Sequence, residues 1–192
     1  MAQFTNRASI SYNGVTADSN IVTGEIVQVL TAEKTVLPTT YRSGDVLTYA
    51  VSIANSGTTP ITGLTLTDDL GAYNIGAATA VPLSFAGGSV LYYVNGALQA
   101  APAVTPGAPL VISGISVPAG GSALIVYRAQ VTDFAPPAEG GVITNRALIS
   151  GGGLSEPVAA TAAANAEPAA PAPAAAAAPA DEPADYAAVR AF

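Results

Sequence analysis

Lys34 is the only lysine in this sequence, and it faces a late asparagine, Asn145, across most of the chain. A lysine kept from water loses its charge easily, and the neutral amine is a nucleophile. An asparagine amide polarised by a neighbouring acid can accept such an amine, lose ammonia and leave an isopeptide bond. Asp68 is the better placed acid and Asp69 the second. The bond would close a loop of roughly a hundred residues, worth about 4–5 kcal/mol if the loop-entropy account of disulfides carries over. A second reading stays open, in which Lys34 is solvated and lays its stem over a sheet edge.

Other chemistry is scarce. The chain has no His and no Cys, which removes the usual base near neutral pH, thiol nucleophiles, zinc–thiolate sites and disulfides. Carboxylates alone can run glycosidases, but Asp68 and Asp69 are adjacent and point to opposite faces of a strand. Asp181, Glu182 and Asp185 lie in a low-complexity tail. The expectation is a protein that is not an enzyme. Turn carboxylates such as Asp18, Asp68 and Asp69 lack EF-hand spacing, so neither a metal nor another cofactor is expected. Net charge is −7, and the five arginines, Arg7, Arg42, Arg128, Arg146 and Arg190, are scattered. No basic face can be assembled for nucleic acid or an anionic membrane.

The elements that must position Lys34 and Asn145 read as strands. Half the residues are apolar, only 10% are charged, and Gly and Pro abound, a composition for many short strands and tight turns. Leu47, Tyr49, Val51 and Ile53 alternate on one face, and Asn55-Ser56-Gly57 ends that run. Leu64 and Leu66 alternate with threonines before Asp68-Asp69. Val90 to Val94 is followed by Asn95-Gly96, a hairpin signal. Leu110–Val117, Leu124–Val131 and Ile143–Ser150 complete the set, with Ile125, Tyr127, Ala129 and Val131 sharing a face. The pattern predicts an all-β fold, an immunoglobulin-like antiparallel β-sandwich, with a β-barrel as the alternative.

Three zones follow: an N-terminal arm (1–30), the sandwich (31–150) and a Gly- then Ala/Pro-rich tail (151–192). From Ala166 the tail reads as an extended linker, because frequent Pro forbids a continuous helix. Its end, Tyr186 to Phe192, regains apolar residues and is either a docking peptide for neighbouring subunits or a frayed terminus. There is no 18-residue apolar run to span a membrane and no signal-peptide pattern. The expectation is a mature form or another route out of the cell, such as release of a spore from a lysing mother cell.

The arm carries a self-match. Phe4-Thr5-Asn6-Arg7-Ala8-Ser9-Ile10-Ser11 aligns with Ile143-Thr144-Asn145-Arg146-Ala147-Leu148-Ile149-Ser150, with six of eight residues identical. Two explanations are open. The arm is the stump of a multi-repeat ancestor and pairs on its own sheet, or it adds as a strand to a neighbouring molecule. The second runs head to tail and makes an open homopolymer. Phe4, Asn6, Ala8, Ile10, Ile21, Ile26 and Val29 would form that subunit interface. If Asn6 of a neighbour stood in for Asn145, the same chemistry would link subunits.

The body resembles a known family. Lys34, Tyr41-Arg42-Ser43-Gly44-Asp45-Val46-Leu47-Thr48-Tyr49, Ala54-Asn55-Ser56-Gly57, Leu64-Thr65-Leu66-Thr67-Asp68-Asp69-Leu70 and Ile143-Thr144-Asn145-Arg146-Ala147 look like the conserved-repeat family of bacterial surface proteins, the eleventh of the numbered domains of unknown function. The resemblance covers residues 31–150. It implies an immunoglobulin-like sandwich, tandem modules in secreted adhesins and cell-wall proteins, and no enzymatic activity. One repeat with a duplicated strand fits a self-assembling subunit better than a stalk module.

The leading expectation is a structural subunit of an extracellular filament, pilus-like fibre or spore- or cell-surface appendage. The alternative is a monomeric surface adhesin or decoration module for a host, matrix or glycan ligand, displaying loops near Gly71–Ala80 and Ala135–Gly141. Those loops carry few of the aromatic or Arg anchors that dominate interfaces.

Overall fold

The structure is a computed structural model that describes residues 2–26, 29–137 and 140–168, with the backbone alone at Ala2, Gln3, Glu25 and Ile26. All of its regular elements are strands. The arm holds β1 (Ala2–Asn6), β2 (Ser9–Tyr12), β3 (Val15–Asp18) and β4 (Val22–Ile26). The body begins with β5 (Leu30–Leu37), β6 (Thr40–Tyr41), β7 (Val46–Asn55) and β8 (Ile61–Asp68). Short strands follow: β9 (Tyr73–Ile75), β10 (Ala78–Ala80), β11 (Leu83–Phe85), β12 (Leu91–Val94), β13 (Ala97–Gln99) and β14 (Ala103–Thr105). Four long strands close it: β15 (Leu110–Val117), β16 (Ser122–Val131), β17 (Val142–Gly151) and β18 (Val158–Ala166).

Two sheets face each other. The first runs β13-β12-β16-β7-β5, with β11 also on β16. The second runs β14-β15-β8-β17-β18-β6, antiparallel except for the short β18/β6 pair. This is the immunoglobulin-like sandwich that the alternating runs predict. Leu47, Tyr49, Val51 and Ile53 of β7 and Ile125, Tyr127, Ala129 and Val131 of β16 are buried against Leu64 and Leu66 of β8 and Ile143, Ala147 and Ile149 of β17. The alternation holds because a strand sends successive side chains to opposite faces. Asn95 and Gly96 take positive φ, 48° and 79°, and turn β12 into β13 as their types require. Gly114, at φ 85°, sits where the β15/β8 register shifts, which is the bulge that only a residue without Cβ makes easily.

Two boundaries differ from the sequence reading. Leu30 is fully buried and Val29 packs on the core, so the sandwich starts before residue 31. Residues 158–166, assigned to the tail, form a core strand: β18 pairs with β17 from Ile149↔Val158 to Val142↔Asn165. Val158, Ala160, Ala162 and Ala164 point inward and are buried. They are covered there by β5 of the facing sheet, against which β18 packs. Residues 169–192, including the Tyr186–Phe192 segment, lie outside the described residues.

Candidate functional site: a buried Lys–Asp–Tyr–Asn cluster

Four polar side chains meet between the sheets. Lys34 enters from β5 and Tyr127 from β16 in one sheet, and Asp68 from β8 and Asn145 from β17 in the other. Lys34, Asp68 and Asn145 are all buried, at 4%, 0% and 0% exposure, which sets aside the solvated reading of Lys34. Lys34 Nζ donates to Asp68 Oδ2 at 2.5 Å, and the Tyr127 hydroxyl donates to the same oxygen at 2.5 Å. Asn145 Nδ2 lies 3.4 Å from the Tyr127 hydroxyl. The nucleophile, the acid and the amide therefore converge on one carboxylate and one phenol.

Local sequence explains each placement. Asp68 ends β8 and its backbone turns away through Leu70 and Gly71, both at positive φ. The Leu70 N–H donates to Asp68 Oδ1 at 2.9 Å, which leaves Oδ2 free to face Lys34 and Tyr127. Asp69 points the other way, as adjacent strand residues must. It accepts from the Gly71 and Arg146 N–H groups at 2.8 and 2.9 Å and thereby ties the β8 end to β17. The choice between the two acids falls to Asp68 on geometry. Lys34 sits opposite Val51 in the β5/β7 ladder, and Tyr49 and Tyr127 are direct cross-strand partners in β7/β16. Their rings stack at 5.5 Å and 18°. The Lys34 ammonium lies 5.0 Å from the Tyr49 ring centre and 6.0 Å from that of Tyr127.

Electrostatics follow from burial. Desolvation lowers the Lys34 pKa below the ordinary 10.5, while the Asp68 charge and hydrogen bond oppose the drop. Burial raises both Tyr49 and Tyr127 above 10.0, with the Asp68 charge adding to the rise. Tyr127 therefore keeps its proton and stays a donor. Asn145 Oδ1 makes no hydrogen bond among the described residues, and the Tyr49 hydroxyl has the Asn145 amide beside it but outside ordinary hydrogen-bond geometry. An orphaned amide oxygen in a dry core costs stability unless the site uses it.

The arrangement can form an amide. Passing one proton from Lys34 to Asp68 leaves two neutral groups, which a dry interior holds more easily than two charges. The free Nζ lone pair attacks Asn145 Cγ, and the C–N bond to Nδ2 breaks. The amine's second proton goes to that nitrogen, which departs as ammonia. Asp68 keeps the first proton. Lys34 plus Asn145 then become one secondary amide joining β5 to β17 across the sandwich.

The sequence reading missed the two tyrosines as members of the site. The signal was present: Tyr49 stands among Leu47, Val51 and Ile53 and Tyr127 among Ile125, Ala129 and Val131, and a buried phenol hydroxyl needs a partner.

The other expected site, the subunit interface, lies in the arm. The octapeptide is no free single strand. Its β1 pairs with β4 and its β2 with β3, and neither two-stranded ladder joins the sandwich sheets. Within one chain the arm does not pair on the sandwich sheets: Asn13-Gly14, at φ 49° and 76°, supplies a tight turn that folds the arm on itself. Asp18 accepts from Ser9 at 2.5 Å and pairs with Arg7, and the Ala8 N–H donates to Ser19 Oγ at 3.0 Å. Phe4, Asn6, Ala8, Ile10 and Ile21 are exposed, Val29 is half-buried on the core, and the Ile26 side chain lies outside what is described.

No family model matches the sequence, so the conserved-repeat resemblance rests on the motifs quoted for it. No curated protein matches it either. Solved structures share the fold. The N-terminal domain of the Streptococcus gordonii adhesin Sgo0707 aligns at TM-score 0.53 and 12% identity, over 80% of this chain and 36% of that one. The full-length major pilin SpaD of Corynebacterium diphtheriae aligns at TM-score 0.51 and 16% identity, over 69% of this chain and 34% of that one. The chain thus spans about a third of the length of each. These similarities define the class: an all-β, immunoglobulin-like sandwich of the kind found in pilins and adhesins. Among the described residues, no helix is long and apolar enough to cross a membrane.

Proposed function

We propose that this chain is a non-enzymatic structural subunit of an extracellular, surface-borne assembly, with its sandwich locked by a Lys34–Asn145 isopeptide bond. The observation that carries the reading is the convergence of Lys34 and Tyr127 on Asp68, with the Asn145 amide on the Tyr127 hydroxyl, between the two sheets. A bond there ties the first strand of the body to its penultimate one, so a pull on either end is borne by covalent bonds. A protein under mechanical load or outside the cell gains most from such a lock, and this chain has no cysteine with which to make a disulfide instead. The sandwich it shares with a pilin and an adhesin domain supports a place in such an assembly.

Polymerisation falls to the arm. Its exposed apolar residues, Phe4, Ile10, Tyr12, Val15, Ile21 and Val22, are a liability for a lone molecule and a contact surface for a neighbour. Electron microscopy and light scattering of the purified protein test the filament. Removing residues 1–26, which leaves Val29 and Leu30 in the core, is expected to abolish polymers and keep a folded monomer. Polymers formed by the truncated protein, or a full-length protein that stays monomeric at all concentrations, refute the assembly role. A full-length monomer that binds a glycan or matrix protein would favour the adhesin alternative.

A further inference from the structure

The arm repeats the first limb of the last sandwich hairpin in sequence, and like that hairpin it folds back antiparallel on itself. Residues 142–166 form an antiparallel hairpin, β17 and β18, turning through Gly151-Gly152-Gly153. Residues 2–26 are equally long and form an antiparallel hairpin too, β1-β2 against β3-β4, turning through Asn13-Gly14. The matching octapeptides occupy the same first limb of each. In β17 the inward face is Ile143, Asn145, Ala147 and Ile149, sealed in the core. The aligned residues in the arm are Phe4, Asn6, Ala8 and Ile10, all exposed; Phe4 stands 55% and Ile10 71% open, against 1% and 0% for their counterparts. Phe4 reaches over Gly24 on the opposite limb, where any side chain would collide with the ring. The hairpin thus has a core face and no core.

We propose that the 2–26 hairpin of one copy occupies, in a second copy of this chain, the seat of the 142–166 hairpin beside β8, and that its Asn6 is joined there to the second copy's Lys34. This rests on the isopeptide reading of the cluster. Lys34 Nζ bonds to Asn6 Cγ, the Asn6 amide nitrogen leaves as ammonia, and Asp68 retains a proton, as in the reaction within one chain. Six shared residues let the arm fill the seat with nearly the same face. The misfits are the larger Phe4 in place of Ile143 and, on the opposite limb, Val22 in place of Ala162. A chain's own hairpin competes with the advantage of its tether, so the exchanged form is a minor one at equilibrium. Loss of ammonia makes each capture irreversible, so it accumulates. The Lys34–Asn145 bond closes the seat for good, and exchange belongs to copies in which it has not formed.

The test is full-length Asn145→Ala, concentrated and incubated, then run on a denaturing gel with peptide mass mapping. The expected result is a ladder of covalent multimers carrying a Lys34–Asn6 cross-linked peptide, abolished by adding Asn6→Ala or Lys34→Ala. Circular dichroism and a cooperative melt establish that the variant folds, and Asn145→Leu, close in size, replaces it if it does not. A folded variant that stays unlinked overturns the inference. So does ammonia loss confined to the monomer, which would place Asn6 against its own Lys34. The wild-type mass separates the two readings. Wild type lighter by one ammonia with an unlinked variant sinks the exchange alone, whereas wild type at full mass with an unlinked variant sinks the cluster chemistry beneath it.

Discussion

Replacing Asn145 by Ala removes the amide that Lys34 would attack, and the size of the loss can be worked from the structure. Two contributions are separable. Asn145 makes one hydrogen bond, at 3.4 Å to the Tyr127 hydroxyl, and its Oδ1 is orphaned, so the side chain's non-covalent contribution is about 1 kcal/mol or less. The covalent contribution is larger. Closing the loop between residues 34 and 145 restricts the unfolded chain by about 4–5 kcal/mol if disulfide loop entropy is a fair guide. Together they predict a loss of about 5 kcal/mol, which for a domain of this size lowers Tm by about 10–20 °C. The assay is urea unfolding of wild type and variant, paired with intact mass spectrometry of each. Wild type should weigh one ammonia less than its sequence, and the monomeric fraction of the variant, kept dilute, should match its sequence. A wild type at full sequence mass, or a variant that loses no more than about 1 kcal/mol, would show that the cluster is only a buried ion pair.

Four further outcomes are expected. Asp68→Asn should leave Lys34 without its counter-ion, keep the variant from losing ammonia, and cost about 3–5 kcal/mol on top of the lost bond, read by the same two assays. Tyr127→Phe keeps the ring stacked on Tyr49 but removes the donor to Asp68; ammonia loss should slow in a mass time course while stability falls by about 1–2 kcal/mol. Alkaline titration followed by tyrosine absorbance should show Tyr41 delayed by its burial and, more strongly, Tyr49 and Tyr127 lagging until the fold opens. All three hold their protons more tightly folded than unfolded, so the stability they confer is intact below pH 10.0 and is lost as pH climbs beyond it. Gly151→Ala should cost more than about 1 kcal/mol in urea, because φ is 83° there and a Cβ would stand 2.8 Å from the Gly63 carbonyl oxygen.

The sequence by itself determined the strands and their inward faces. Alternation of Leu47, Tyr49, Val51 and Ile53, or of Ile125, Tyr127, Ala129 and Val131, is a local property, since a strand's period of two depends on no distant residue. The turn at Asn95-Gly96 was legible for the same reason. β18 was not, because in Val158–Ala166 alanine dominates both faces and leaves only Val158 inward and Thr161 and Asn165 outward as contrast; packing against β5 makes it a core strand. The pairing order was also beyond local reading, since β8 meets β15 and β17 rather than its chain neighbours. For the site, the odd chemistry of one lysine and one late Thr-Asn named three members, and the tertiary structure alone supplied Tyr49 and Tyr127. Five strands from two sheets must face one another before Lys34, Asp68 and Asn145 share a dry space. In the arm the repeated octapeptide was plain in the residues, but that it belongs to a whole hairpin was decided by folding, because Asn13-Gly14 turns the chain back before any strand can reach the body.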